Sequence, residues 1–220
     1  MALNPDDFII THKRKKYRFA KFSQYDNCFE ADNWQLPTDH PPLTLEVGAG
    51  TALFSVELAR RYPDRLFVAT DVKADRLQKG AGEAEASALT NVNFVRIHAA
   101  HLAELLPLGS VSELWITFPD PCPKNRTAKH RLTHLDFLRL YRKLLQPQAQ
   151  LYFKTDNQPL FCWSLEQLVA DNWHLTQLSF DLHATDMSDD YKIMTTYEQK
   201  FQLEGLATHF VAARPLKNSV

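Results

Sequence analysis

Leu43-Thr44-Leu45-Glu46-Val47-Gly48-Ala49-Gly50-Thr51-Ala52 decides the fold. A short apolar strand runs into two closely spaced glycines. From residue 52 to 62 the apolar spacing (Phe54, Leu58, Ala59) becomes helical, and it stops before Pro63. Glycine lets the backbone turn sharply and lets a ligand approach it closely, so this strand, turn and helix read as a cofactor-binding junction. A dinucleotide fingerprint needs a third glycine three residues after the second, where Leu53 stands. The turn therefore suits a ligand without a pyrophosphate.

Working outward, the same alternation continues. Apolar strands are expected at 66–70, 93–97, 113–118 and 150–155, with helices at 73–89, 133–145 and 160–171. Two longer alternating strands, 174–183 and 207–213, close the chain. Strands alternating with helices imply βαβ units. The expected class is thus α/β, Rossmann-like, with a mostly parallel seven-stranded sheet, helices on both faces and an antiparallel C-terminal strand. Residues 1–42 lack periodic pattern and end in Pro37-Thr38-Asp39-His40-Pro41-Pro42, so they read as an arm ahead of a domain at 43–220.

Composition bounds the partners. The 220 residues are 45% hydrophobic and 23% charged, which excludes a disordered, collagen-like or coiled-coil chain. Cys28, Cys122 and Cys162 form no C-x-x-C pair and suggest a reduced, cytoplasmic protein without a zinc site. No secretory leader or membrane-spanning run is visible. The net charge of -1 conceals two basic clusters: 13 of the 25 Lys and Arg fall within residues 12–21 and 124–143. Such clusters supply salt-dependent affinity for phosphates, and Tyr17, Phe19 and Phe22 are placed to stack on bases, so an RNA partner is expected.

Candidate site residues follow from the sheet edge. Asp71 ends the second strand of this alternation, 21 residues after Gly50, where a carboxylate accepts ribose hydroxyls. Adenosine without pyrophosphate points to S-adenosylmethionine, held by Gly48, Gly50 and Asp71, with Glu46 near its cationic methionine end. The fourth strand runs into Phe118-Pro119-Asp120-Pro121-Cys122-Pro123-Lys124, where three prolines force a stiff loop that holds Asp120 outward. In a doubly wound sheet this loop and the glycine turn are expected to face one crevice. The fifth strand ends in Phe153-Lys154-Thr155-Asp156-Asn157, a further carboxylate at the same edge. His130 and His134 lack a third ligand, so no metal is expected.

Together with Lys129-His130-Arg131-Leu132 and Thr195-Thr196-Tyr197-Glu198-Gln199-Lys200-Phe201, these motifs resemble the bacterial tRNA (guanine-N7-)-methyltransferase family over about residues 43 to 213. The resemblance implies a class I methyltransferase fold, S-adenosylmethionine as cofactor, and methylation of a guanosine in the tRNA variable loop; the sequence leaves monomer and homodimer equally open. It implies that Glu46, Asp71 and Asp120 contact the cofactor and that Asp120 is the central catalytic acid. It implies that Lys124, Asp156, Thr195, Thr196, Tyr197 and Glu198 form the tRNA or guanine site. Three positions depart from the family pattern: Cys122 stands for a usual Trp, Ala52 for a common third glycine, and His98 lies where an Asp near the adenine is usual. His98 is retained as a contact to the base. The competing readings are a tRNA-binding member without turnover and an exocyclic-amine methyltransferase, although Asp120-Pro121-Cys122 lacks the latter's adjacent prolines and aromatic.

Overall fold

The computed structural model describes residues 20–195, 198 and 203–216, which fall into two compact units meeting in sequence at Leu105 and Leu106. The first holds four parallel strands, β1 (Cys28–Glu30), β2 (Leu43–Val47), β3 (Leu66–Asp71) and β4 (Val92–Arg96), in the spatial order β1-β4-β3-β2. Every residue of β2 and β3 is buried, as expected for parallel strands covered on both faces. Helices α1 (Leu53–Arg61) and α2 (Ala74–Ala86) connect them, and the short α3 (Leu102–Leu105) follows β4. The register sets Val47 beside Thr70 and Asp71 beside Arg96, so the carboxyl ends of β2, β3 and β4 lie level.

The second unit holds β5 (Val111–Thr117), β6 (Leu145–Thr155), β7 (Trp173–Ser179) and β8 (His209–Pro215), ordered β5-β6-β8-β7. β5 and β6 are parallel; β8 is antiparallel to both β6 and β7. Helices α4 (Leu135–Leu144) and α5 (Gln158–Ala170) complete it. No helix among the described residues is long and apolar enough to cross a membrane.

The described residues thus hold eight strands where seven were expected. The extra one, β1, lies in the stretch read as an arm. Its three residues are too few to show a period, yet Cys28–Glu30 pairs with β4, Glu30 bridges Arg96 at 3.2 Å, and Phe22 and Trp34 are buried. Phe22, expected to stack on bases, is therefore a core residue; Tyr17, Phe19 and the basic run ending at Arg18 lie outside the described residues. β6 begins at Leu145, well ahead of 150, because Pro147 and left-handed Gln148 (φ 70°) obscure a strand that is already paired with Val111. β7 stops at Ser179 rather than 183, and a 3-10 turn follows at Leu182–Ala184.

Candidate active site

In the first unit the glycine turn is pinned from β3. Gly48 N and Ala49 N both donate to Thr70 O, at 2.8 and 2.9 Å, and Gly50 N donates to Asp71 Oδ2 at 2.9 Å. Asp71 Oδ1 accepts from Lys73 N at 2.8 Å. The turn's N–H groups are thus engaged within the chain, which removes the anion cradle a pyrophosphate needs. Each Asp71 oxygen has accepted one bond and keeps acceptor capacity for a ribose hydroxyl. Gly50 is buried with φ 56°, and among the described residues a Cβ on it would meet nothing within 4 Å, so there is space beside the turn for a ligand to approach the backbone. Gly80 of α2 serves that turn from behind: a Cβ there would lie 2.6 Å from Thr51 O.

Glu46 is 1% exposed and accepts from Ser55 Oγ of α1 at 2.5 Å. It thus sits buried near the carboxyl end of β2, tied to Ser55 at the start of α1. Ala52, where the family commonly has glycine, adopts φ 54°. The left-handed conformation costs an alanine roughly 1–2 kcal/mol, and burying its methyl returns about 0.8 kcal/mol, so the departure is offset in part. His98 is exposed and its Nδ1 accepts from Ala100 N at 3.2 Å, capping the turn Ala99–His101 as an aspartate would. That bond assigns the ring proton to Nε2, which makes His98 a donor toward a ring nitrogen instead of an acceptor from an amine. These groups fit an adenosine with a cationic tail.

In the second unit two carboxylates stand at the carboxyl ends of neighbouring strands. Asp120 follows β5 and is exposed, and among the described residues no hydrogen bond or ion pair engages its carboxylate. The loop that carries it is strained: Phe118 and Cys122 have φ of 47° and 42°, each costing roughly 1–2 kcal/mol for a side-chain-bearing residue. Asp156 follows β6. Asn157, not Asp156, caps α5, its Oδ1 accepting from Leu160 N at 2.8 Å, so the Asp156 carboxylate is not required as a cap. Burial pushes the Asp156 carboxyl above its ordinary value, while its own backbone N–H and nearby His209 pull it down and Glu204 adds to the rise.

Lys124 is exposed at the start of the 3-10 turn Asn125–His130. Thr195 and Glu198 are buried, and Thr196 and Tyr197 lie outside the described residues. Glu198 changes role. Expected at the guanine, it is wholly buried: one oxygen accepts from Lys154 Nζ at 2.9 Å and from Thr195 N at 3.2 Å, the other meets His183 Nε2 at 2.8 Å and Thr208 Oγ1 at 3.3 Å. Glu198 N in turn donates to Thr195 Oγ1 at 3.1 Å, which completes a capping box across Thr195-x-x-Glu198. Lys154, also wholly buried, donates to the carbonyls of Tyr191 and Ile193 as well. Nothing in the sequence marked Lys154 as interior.

The second basic run divides. Arg142 donates to Asp171 O, to the Asp171 carboxylate at 3.1 Å and to Leu216 O at 2.7 Å, and Arg139 bridges Asp171 at 3.3 Å. Lys143 is exposed but lies about 12 Å along α4 from its start, away from the Asp120 end. Arg131 is nearly buried. Lys124, Arg126 and Lys129 remain as exposed cations beside the proline loop. His134 Nδ1 accepts from Asp136 N and caps α4, and no group of three metal-ligating side chains occurs among the described residues.

The architecture is shared with solved methyltransferases. The 16S rRNA methyltransferase KamB superposes with TM-score 0.60 at 17% identity, covering 80% of this chain and 88% of that one. The antibiotic-resistance methyltransferase Kmr gives 0.57 at 18% identity and 96% of both chains. A family profile described as "Putative methyltransferase" matches residues 40–211. Fold and family profile together define an α/β methyltransferase. A tRNA (guanine-N(7)-)-methyltransferase of Brevibacillus brevis is 36% identical over 186 residues, covering 84% of this chain and 86% of that one. One of Clostridioides difficile is 36% identical over 205 residues, covering 90% and 95%. The chain belongs to the tRNA (guanine-N(7)-)-methyltransferase family.

Proposed function

We propose that this chain transfers a methyl group from S-adenosylmethionine to N7 of a guanosine in the variable loop of tRNA. Family membership supports the donor, the base and the RNA. The observation that carries the chemistry is that Asp120 and Asp156 follow the carboxyl ends of adjacent parallel strands about 4.8 Å apart, a placement that would let both carboxylates serve one base.

When bound, S-adenosylmethionine supplies an electrophilic methyl on a sulfonium. Asp71 would receive the ribose hydroxyls, the backbone at Gly50 would lie against the ligand's body, His98 would donate to the adenine, and Glu46 would stand toward the methionine end. Guanine N7 has a lone pair and no proton, so the acceptor needs no general base. The chain's task is alignment and charge. Asp120 faces the positive charge that grows on the purine. Asp156 accepts from the guanine N1–H and amino group, donors on the Watson–Crick edge that become available only once the base is unstacked. Lys124, Arg126 and Lys129, together with the arm, hold the RNA backbone.

The deciding experiment incubates purified protein with S-adenosylmethionine and unmodified tRNA and digests the RNA for nucleoside mass spectrometry. 7-Methylguanosine is expected, with tRNA affinity that falls steeply as salt rises. Saturable tRNA binding without any methylated nucleoside would instead leave a binding module, and 6-methyladenosine an amine methyltransferase.

Asp156 gives a prediction whose two halves oppose each other. Its raised carboxyl value means that the folded chain holds the proton more tightly than the unfolded one. That contribution to stability is full below the ordinary carboxylate range and is lost as pH rises through the raised value. Asp156→Asn is therefore expected to melt slightly higher than the parent at pH 7, with the difference closing below about pH 4. Turnover moves the other way, down roughly ten- to a hundredfold for the loss of a charged hydrogen bond to the base. Melting curves at both pH values and kcat/KM for tRNA check the pair. A variant both less stable and fully active would remove Asp156 from the site.

A further inference from the structure

Arg131 sits in the basic run, where any arginine near an RNA site invites assignment to phosphate. Its surroundings argue otherwise. It is 9% exposed. Its Nε donates to Pro121 O at 3.1 Å and its Nη2 to Cys122 O at 3.2 Å, two successive carbonyls of the loop that presents Asp120. The guanidinium lies over the Trp163 ring of α5, with Cζ 4.4 Å from the centroid. Helix α5 begins two residues after Asp156. We propose that Arg131 is a positioning residue that ties the Asp120 loop to the helix following Asp156, and so fixes the two carboxylates relative to one another. This rests on the functional reading above.

The loop needs such a tie. Proline removes the amide hydrogen at 119, 121 and 123, so the segment has few donors with which to brace itself, and its carbonyls must be met from outside. Two of its residues, Phe118 and Cys122, are left-handed, a conformation that persists only where the surroundings hold it. At one end of the loop Phe118 N donates to Lys154 O of β6 at 2.9 Å. At the other, Thr127 Oγ1 reaches Cys122 O at 3.3 Å and Lys124 O at 2.7 Å. Arg131 meets the middle, next to Asp120. A planar fork can donate in its plane to two adjacent carbonyls at once, which a lysine ammonium cannot match in geometry.

Arg131→Lys separates the two roles, because it keeps the charge and loses the fork. The expected result is a fall in kcat for tRNA methylation of roughly ten- to a hundredfold, the scale of a small misplacement of a reacting group. The dissociation constant for tRNA and the slope of its logarithm against log salt should stay as in the parent. Amide hydrogen exchange in peptides spanning residues 117–127, read without cofactor or tRNA, should quicken. Lys129→Gln is the contrast, with weaker tRNA binding and a shallower salt slope. Trp163→Leu, which leaves guanidinium and loop in place, should repeat the kcat and exchange changes in smaller measure. It decides the matter if Arg131→Lys does not give a cooperative melt. Unchanged kcat and exchange, or a loss confined to tRNA affinity with a shallower salt slope, would overturn the assignment. If the parent chain makes no 7-methylguanosine, the proposed activity falls, and exchange alone decides whether Arg131 holds the loop.

Discussion

Asp120→Asn is expected to lower the single-turnover rate of 7-methylguanosine formation by roughly a hundred- to a thousandfold, the usual cost of removing one preorganised electrostatic partner of a transition state. The substitution keeps the shape of the side chain and its place between Pro119 and Pro121, so it tests charge and not loop geometry. The physical reason for a large effect is that no proton moves at N7. A base can be replaced in part by solvent, but a fixed negative charge facing the purine at the moment it becomes cationic cannot, because water must reorient to do the same. Asp120 is suited to this because its carboxylate is uncommitted among the described residues, whereas Asp71 and Glu198 already accept several bonds. Affinity for tRNA should hold, since the phosphate contacts proposed above are Lys124, Arg126 and Lys129 and not Asp120. The measurement is product formed per enzyme at saturating cofactor and tRNA. A rate within fivefold of the parent would mean that the charge at position 120 is incidental to methyl transfer.

How much of this was legible beforehand depended on range in sequence. The glycine turn, Asp71 and the proline loop announce themselves through local chemistry: turn residues, strand ends and lost amide donors are written within ten positions. Asp156 was legible as a carboxylate at a strand end, but its release from capping rests on Asn157 accepting from Leu160 N, a choice between two neighbouring acceptors that only the folded helix makes. Charge placement was the least legible. The same letters, Lys and Arg, give an exposed cation beside the proline loop at Lys124, carbonyl binding at Arg131, a helix-to-tail tie at Arg142 and a buried ion pair at Lys154. Only distant partners, from Trp163 to Leu216 and Glu198, separate them. Glu198 was assigned to the guanine because a motif carried it; the capping box that turns it inward is local, but the lysine it meets is 44 residues away. β1 escaped because a three-residue strand takes its identity from β4.

Lys154→Met should destabilise the fold by about 3–5 kcal/mol, the cost of leaving a buried charge without its partner. For a chain of this size that is a fall in melting temperature on the order of 10 °C. Methionine nearly matches the lysine stem in volume, so the core around it is not opened. What is lost is the ammonium that meets Glu198 at 2.9 Å and the carbonyls of Tyr191 and Ile193, with both members of the ion pair wholly shielded from water. Adding Glu198→Gln removes the stranded charge, so the double variant should regain a large part of the loss, and the cycle of four proteins should show a coupling above roughly 2 kcal/mol. The consequences reach the site through the backbone. Lys154 O accepts from Phe118 N, its ammonium lies 5.7 Å from the Phe118 ring centroid, and it stands two residues before Asp156. The pair thus anchors the ends of β5 and β6 and the Thr195 segment to one point. Denaturant titration of the four proteins gives the free energies. A single variant that loses less than about 1 kcal/mol, or a double variant no more stable than Lys154→Met, would show that the fold is not organised around this ion pair.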